Sequence, residues 1–208
     1  MCAELFANNT VSGYSNPHGD TIVLPEHVGW NIETRLAGQR VDELSFMVDF
    51  MKEHKVKTFL EIGSRCGTIA RYIWQETGAK ITCVDLPGGA WGNEKYLPAL
   101  KANVQKAGGR LVLGDSTSPE VIGKIYGNTY DFIFIDGDHS EEGVRADWKN
   151  YGMLGKYVGF HDIAGTHYST KNDKTVEVHK LWDELRVEYD TVEHVGPGSR
   201  MGIGIVTL

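Results

Sequence analysis

Residues 58–72 read TFLEIGSRCGTIARY, and the fold turns on how this stretch is read. Phe59, Leu60 and Ile62 form a short apolar run around one acid, Glu61, the pattern of a buried strand. Gly63 and Gly67 bracket a tight loop, and residues 68–73 resume at helical spacing. Glycine suits places where backbone turns sharply or nears a ligand with no Cβ in the way. Strand, glycine turn and helix N-terminus together make a polar cradle for a nucleotide-like ligand. Glu61, Gly63, Ser64, Gly67 and Thr68 are therefore the first candidate cofactor-binding residues. The spacing is E-x-G-x-x-x-G, not the G-x-G-x-x-G of dinucleotide enzymes. A glycine turn without a ligand is the plain alternative.

Working outward, Val41, Leu44, Met47, Val48 and Met51 fall at helical spacing with charged residues between them, an amphipathic helix whose methionines read as core packing. After the turn a helix runs to Thr77, where Gly78 ends it. Residues 80–85, KITCVD, are a second strand ending in Asp85, about twenty residues beyond the glycines, where an acid can accept both ribose hydroxyls of a nucleoside. Residues 94–107 read as a helix despite Pro98, and residues 111–113 as a third strand leading into Gly114-Asp115-Ser116-Thr117. Ser118-Pro119-Glu120 is a helix start that needs no ligand. Residues 131–136, DFIFID, are the clearest buried strand, followed by Gly137-Asp138-His139-Ser140 and a helix over 141–151. A fifth strand at 157–160 ends in His161-Asp162, residues 164–175 read as a loop, and residues 176–188 as an amphipathic helix. Residues 189–195 and 201–208 pair across Gly196-Pro197-Gly198-Ser199 as a β-hairpin. The sum is an open α/β sheet, mostly parallel, with one antiparallel strand near the end.

The chain has 208 residues, 41% of them apolar, enough for one domain with a core. Residues 36–208 carry the α/β pattern; residues 1–35, rich in Gly, Asn, Ser and His, are an extension open to a lid, an oligomer arm or a leader. A net charge of −7 disfavours nucleic acid as a partner, since neutralising phosphates needs the opposite sign. Three irregularly spaced cysteines and the lack of a membrane-length apolar run or signal peptide point to a soluble cytoplasmic protein with no membrane partner.

Ligands in open parallel sheets bind at the carboxyl ends of the strands. Here those ends carry Gly63, Ser64, Asp85, Asp115, Asp136, Asp138, His139, His161 and Asp162. One strand-end acid is commonly a cap; all five parallel strand ends marked in order are harder to explain by chance.

Taken together, E-x-G-x-x-x-G, IDGDHS at 135–140 and FHDI at 160–163 resemble class I S-adenosylmethionine-dependent methyltransferases. The likeness is to the small-molecule O-methyltransferase group, with features of macrolide-sugar and, more distantly, catechol-type enzymes. It implies a Rossmann-like methyltransferase fold: a mostly parallel seven-stranded sheet with a C-terminal β-hairpin and helices on both faces. It also implies S-adenosyl-L-methionine as cofactor and a small-molecule hydroxyl acceptor. By this resemblance Asp115, with Ser116, faces the adenine, Asp136 borders the cofactor and ligates a divalent metal, and Asp162 is a second ligand. His139, three residues past Asp136, matches a general base. Catechol-type enzymes have an Asp-Asn or Asp-Asp pair where this chain has His161-Asp162, so His161 becomes a third candidate ligand. Magnesium prefers oxygen, which leaves Mg2+ or another divalent metal open.

Chemistry supports these roles independently. Methyl transfer from a sulfonium is an in-line displacement needing alignment of donor and acceptor and removal of the acceptor's proton. Histidine titrates near neutrality and can take it, a divalent cation lowers a hydroxyl's pKa, and carboxylates attract a cationic donor. Structural alternatives stand beside each role: His139 as a helix cap, His161 as a packed histidine, Asp115 as a turn former. A catalytically silent binding module and a nucleotide-dependent oxidoreductase are the competing functions; the latter lacks both G-x-G-x-x-G and Tyr-x-x-x-Lys. A nucleic-acid methyltransferase would end the fourth strand in an Asn/Asp-Pro-Pro-aromatic turn, which is absent. Acceptor choice is expected from residues 1–35, the 87–93 loop with Trp91, and the 164–175 loop with His167 and Tyr168.

Overall fold

A computed structural model of the chain describes residues 39–89, 94–169 and 174–208. Expectations for residues 1–35 and for Trp91 fall outside the described residues. Helix α1 (Val41–Glu53) leads into β1 (Thr58–Ile62), followed by α2 (Thr68–Thr77) and β2 (Lys80–Asp85). A 3-10 turn at Glu94–Tyr96 precedes α3 (Leu97–Lys106) and β3 (Arg110–Leu113). Then come α4 (Pro119–Ile125), β4 (Tyr130–Ile135), α5 (Glu141–Tyr151) and β5 (Gly155–His161). A small hairpin of β6 (His167–Ser169) and β7 (Lys174–Val176) leads to α6 (Val178–Glu188), β8 (Asp190–His194) and β9 (Ile203–Thr207).

Seven strands form one sheet in the order β3-β2-β1-β4-β5-β9-β8. Strands β1 to β5 pair in parallel, while β9 runs antiparallel to both β5 and β8. Alternation along β1 divides the core, because successive side chains leave opposite faces. Phe59 packs with Met47 and Met51 of α1, Ile69 and Ile73 of α2, and Leu100 and Val104 of α3. Leu60 and Ile62 pack on the other face with Ile125 of α4, Val144 of α5 and Leu181, Trp182 and Leu185 of α6. Helices thus cover both faces, as the sequence predicts. Among the described residues no helix is long and apolar enough to cross a membrane.

Two local expectations need correction. Residues 164–175 are not all loop: His167, Tyr168 and Ser169 pair with Val176, Thr175 and Lys174. The short polar stretch carries no alternating apolar signal, so its pairing was not readable. Residues 94–107 are not one helix, since Pro98 sits in the first turn of α3 and the preceding residues take 3-10 form. A proline lacks the N–H that an interior helical turn requires, so Pro98 is confined to the first turn and α3 begins at Leu97.

The sheet order reverses between β1 and β4, and the crevice that such a reversal opens is where this architecture binds ligands. There the two connecting loops touch. Gly63 has φ +90°, and a Cβ on it would overlap the Asp136 carbonyl and sit 2.5 Å from Gly137 Cα. Only glycine fits on both counts.

Candidate active site

One side of the crevice is built from the β1 loop. Gly63 and Ser64 donate their N–H groups to Val84 O at 2.9 and 3.3 Å, and Gly67 N donates to Ser64 O at 2.6 Å. Gly67, at φ +69°, caps α2 without any side-chain hydrogen bond. The N-cap residue of α2 thus supplies no side-chain cap, and the positive end of the helix dipole suits the carboxylate of a ligand. Asp85 at the end of β2 lies beside this loop and accepts from Arg65 N at 2.6 Å. Its burial raises its pKa to about 6, against the pull of the Arg65 N–H and charge. Glu61 is fully buried in the strand beneath, with the Cys83 thiol donating to Oε2 at 3.8 Å. Burial pushes its pKa to about 8 despite a bond from Ser64, and the charges of Asp136 and Asp85 add to the rise. Thr68 is buried, its hydroxyl 2.9 Å from Cys66 Sγ.

Past β3, Asp115 is exposed, and its Oδ1 accepts from Thr117 N at 2.8 Å and Thr117 Oγ1 at 2.7 Å. The turn-forming role is thus present in the side chain, while Ser118 caps α4 through Val121 N. Ser116 points the other way, donating to Asp147 Oδ1 of α5 at 2.6 Å. The Tyr151 hydroxyl donates to Ser116 O, so α5 grips the β3 loop twice.

The other half of the crevice gathers Asp136, His139, His161 and Asp162. His161 closes β5, and Asp162 follows in a left-handed conformation, φ +63°. Such a conformation is uncommon outside glycine and is often found where a site constrains the backbone. Asp162 Oδ2 lies 2.8 Å from His139 Nδ1, and Asp136 Oδ1 lies 4.0 Å from His139 Nε2. His161 Nδ1 is 3.1 Å from Asp136 Oδ1 and 3.6 Å from Asp162 Oδ1. His139 does not cap α5: Ser140 does, accepting from Gly143 N at 3.1 Å. The His139 carbonyl is instead tied by Glu177 N at 2.8 Å. Burial would lower the His139 pKa, but the bond to Asp162 and the charges of Asp162 and Asp136 raise it overall. For His161 the same opposition, led by the charges of Asp162 and Asp136, carries the pKa well above its ordinary value. Asp162 is held low despite burial, by the charge of His161 and the bond to His139. Asp136, His161 and Asp162 each offer one ligand atom, all within 4.8 Å of one another.

Three site-wall residues escaped sequence reading. Gln39 Nε2 donates to Asp136 Oδ2 at 2.6 Å, Glu43 of α1 lies behind His161, and Asp147 of α5 holds Ser116. Glu43 and Asp147 had a usable signal. Each is an acid in register with buried apolar residues of its helix: Glu43 with Met47 and Met51, Asp147 with Val144 and Tyr151.

The sheet order reverses between a glycine loop on one side and a carboxylate–histidine cluster on the other. The family described as "Methyltransferase domain" matches residues 60–163, half of the 208 residues. The chain belongs to this methyltransferase family, and its sheet is that of the class I S-adenosylmethionine-dependent enzymes. No curated protein matches the sequence. Among solved structures it resembles a candidate caffeoyl-CoA O-methyltransferase from Staphylococcus aureus, at 19% identity and TM-score 0.60 over 79% of this chain and 82% of that one. An O-methyltransferase from Bacillus cereus, solved with S-adenosylhomocysteine, is similar at 15% identity and TM-score 0.59 over 80% and 81%. The O-methyltransferase TomG from Streptomyces achromogenes, involved in tomaymycin synthesis and solved with S-adenosylmethionine, is similar at 10% identity and TM-score 0.59 over 81% and 80%.

Proposed function

We propose that this methyltransferase moves the methyl group of S-adenosylmethionine to a hydroxyl of a small molecule, with His139 as general base. The observation that carries this reading is the pairing of His139 Nδ1 with Asp162 Oδ2 at 2.8 Å, beside Asp136 at the sheet reversal. A carboxylate on Nδ1 selects the tautomer with its lone pair on Nε2 and stabilises the imidazolium that forms, the role it plays in other histidine-based sites. As the acceptor oxygen attacks the methyl carbon and the carbon–sulfur bond breaks, the hydroxyl proton passes to His139 Nε2. The products are the methyl ether, S-adenosylhomocysteine and a protonated His139. Asp85 binds the ribose hydroxyls, the N-terminal turn of α2 receives the donor's carboxylate, and Glu61, Asp85 and Asp136 favour a cationic sulfonium. Asp115 and Ser116 border the adenine.

The donor set of Asp136, His161 and Asp162 fits a divalent metal. Asp162 Oδ1 is buried without a hydrogen-bond partner, and two carboxylates with one imidazole suit a manganese-like or zinc-like ion better than an all-oxygen magnesium shell. When bound, such an ion would lower the acceptor hydroxyl's pKa and hold it. Residues 36–208 form the catalytic domain in this reading, and residues 1–35 with the 164–175 segment select the acceptor.

Calorimetry with S-adenosylhomocysteine tests the donor assignment, and saturable binding is expected; no binding of either cosubstrate at millimolar concentration would end it. With a panel of small hydroxyl acceptors, His139→Ala is expected to lower turnover roughly 10²- to 10⁴-fold while donor affinity stays within a few fold. Unchanged turnover removes His139 from the mechanism.

A further inference from the structure

Two residues ahead of the span matched by the family reach the reaction centre. Glu43, in the first turn of α1, is wholly buried, where an unpaired carboxylate is costly. Its Oε1 is committed to the β8–β9 connection, accepting from Ser199 Oγ at 2.8 Å and Gly202 N at 2.9 Å, with Arg40 Nε 3.9 Å away. Its Oε2 has no hydrogen-bond partner and faces His161 Nε2, equally unpartnered, across 3.6 Å. The other nitrogen of the same ring, Nδ1, faces Asp136 and Asp162. His161 is therefore an imidazole set among three carboxylates. Whether a proton or a metal ion sits on the Nδ1 side, the Nε2 side must carry N–H, because a lone pair there would meet the Glu43 carboxylate.

We propose that Glu43 is a positioning residue of the active site: it holds the Nε2 proton of His161 and so keeps Nδ1 turned toward Asp136 and Asp162. Metal-ligating histidines are commonly fixed through their second nitrogen by such a carboxylate, which sets the tautomer and raises ligand basicity. Gln39 acts in parallel from the same segment, holding Asp136 through Oδ2 and leaving Oδ1 for His161. The α1 segment thereby becomes one wall of the reaction centre. The consequence for metal affinity rests on the metal reading given above; the proton position does not.

Glu43→Gln is a sharp test because its geometry is forced. Ser199 Oγ and Gly202 N both donate, so the glutamine carbonyl takes the Oε1 place and its NH2 group faces His161. Nε2 must then accept, and in the metal-free protein the ring keeps a single proton, on Nδ1 toward Asp136 and Asp162. With 15N-labelled histidine, the His161 Nε2 proton is expected in the wild type and lost in Glu43→Gln. Titration with Mn2+ followed by electron paramagnetic resonance should show roughly 10- to 100-fold weaker binding in that variant. Ser199→Ala removes a bond to Glu43 without touching Oε2, and should leave both readouts within about twofold of wild type. An Nε2 proton that survives Glu43→Gln, or a Ser199→Ala variant that behaves like Glu43→Gln, overturns the proposal and leaves Glu43 a structural acid. A wild-type protein that takes up no Mn2+ overturns the metal reading instead, and the nitrogen spectra still decide the role of Glu43.

Discussion

Replacing Asp147 with asparagine should change how stability depends on pH. Asp147 is wholly buried on α5; its Oδ1 takes the Ser116 hydroxyl at 2.6 Å and its Oδ2 has no partner. Oδ2 lies under the β4 loop, 3.3 Å from where a Cβ on Gly137 would be. Burial raises the Asp147 pKa from 3.8 to about 7, against the Ser116 bond, and the charges of Asp138 and Asp115 add to the rise. A rise of that size corresponds to about 4 kcal/mol between protonated and ionised forms. The folded state binds the proton more tightly than the unfolded chain. Its stabilising contribution is therefore fully present below about pH 4 and lost as pH climbs toward 7. Between pH 5 and 8, about 2–3 kcal/mol should disappear from the wild type through this group. Asp147→Asn cannot ionise, and its amide oxygen can still accept from Ser116, at the cost of a buried N–H of about 1–3 kcal/mol. Urea unfolding followed by tryptophan fluorescence, with Trp182 buried in the same core half, measures both proteins across that range. The stability of the variant relative to wild type should climb by about 2–3 kcal/mol from pH 5 to 8. A difference that stays constant within about 0.5 kcal/mol would show that Asp147 ionises as freely as in the unfolded chain and would refute the argument.

Two further outcomes follow from the charges around the crevice. Glu61, held near pKa 8 by burial with Asp136 and Asp85 adding to the rise, should ionise when a sulfonium arrives, so S-adenosylmethionine should bind with proton release at pH 7.5. Calorimetry in buffers of different ionisation enthalpy should show less release for S-adenosylhomocysteine, which lacks that charge, and no difference between the two in Glu61→Gln; equal release from both ligands in the wild type would contradict this. Because Asp162 and Asp136 raise the His139 pKa above 6.5, kcat/KM should increase with pH through an apparent value above that figure. Asp162→Asn should move the rise to lower pH whatever it does to the maximum, and an unmoved profile would separate His139 from the rate.

The architecture was legible because its signals are local. Apolar runs of four to six residues, glycines at both ends of the β1 loop and helical spacing around Met47 and Leu181 each lie within one element, and together they define the strands and helices. Strand-end polarity exposed Asp85, Asp136, His139, His161 and Asp162 for the same reason: a residue just past a buried strand in a parallel sheet has a known place. The β6–β7 pairing was not legible, since a three-residue polar strand has no periodicity to read.

Which side chains hold which was settled by packing. Sequence placed Asp162 and His139 near each other but left capping open for His139; in three dimensions Ser140 takes the cap and Asp162 takes the ring. Asp115, read either as a ligand residue or as a turn former, has one carboxylate oxygen bound by its own turn. Glu43 lies 118 positions before His161 in the chain, and no local pattern joins them. Elements arise from short-range spacing and backbone sterics, which a single chain displays. The carboxylate–histidine cluster arises where segments distant in the chain bury acids against histidines, and only the folded sheet brings those groups together.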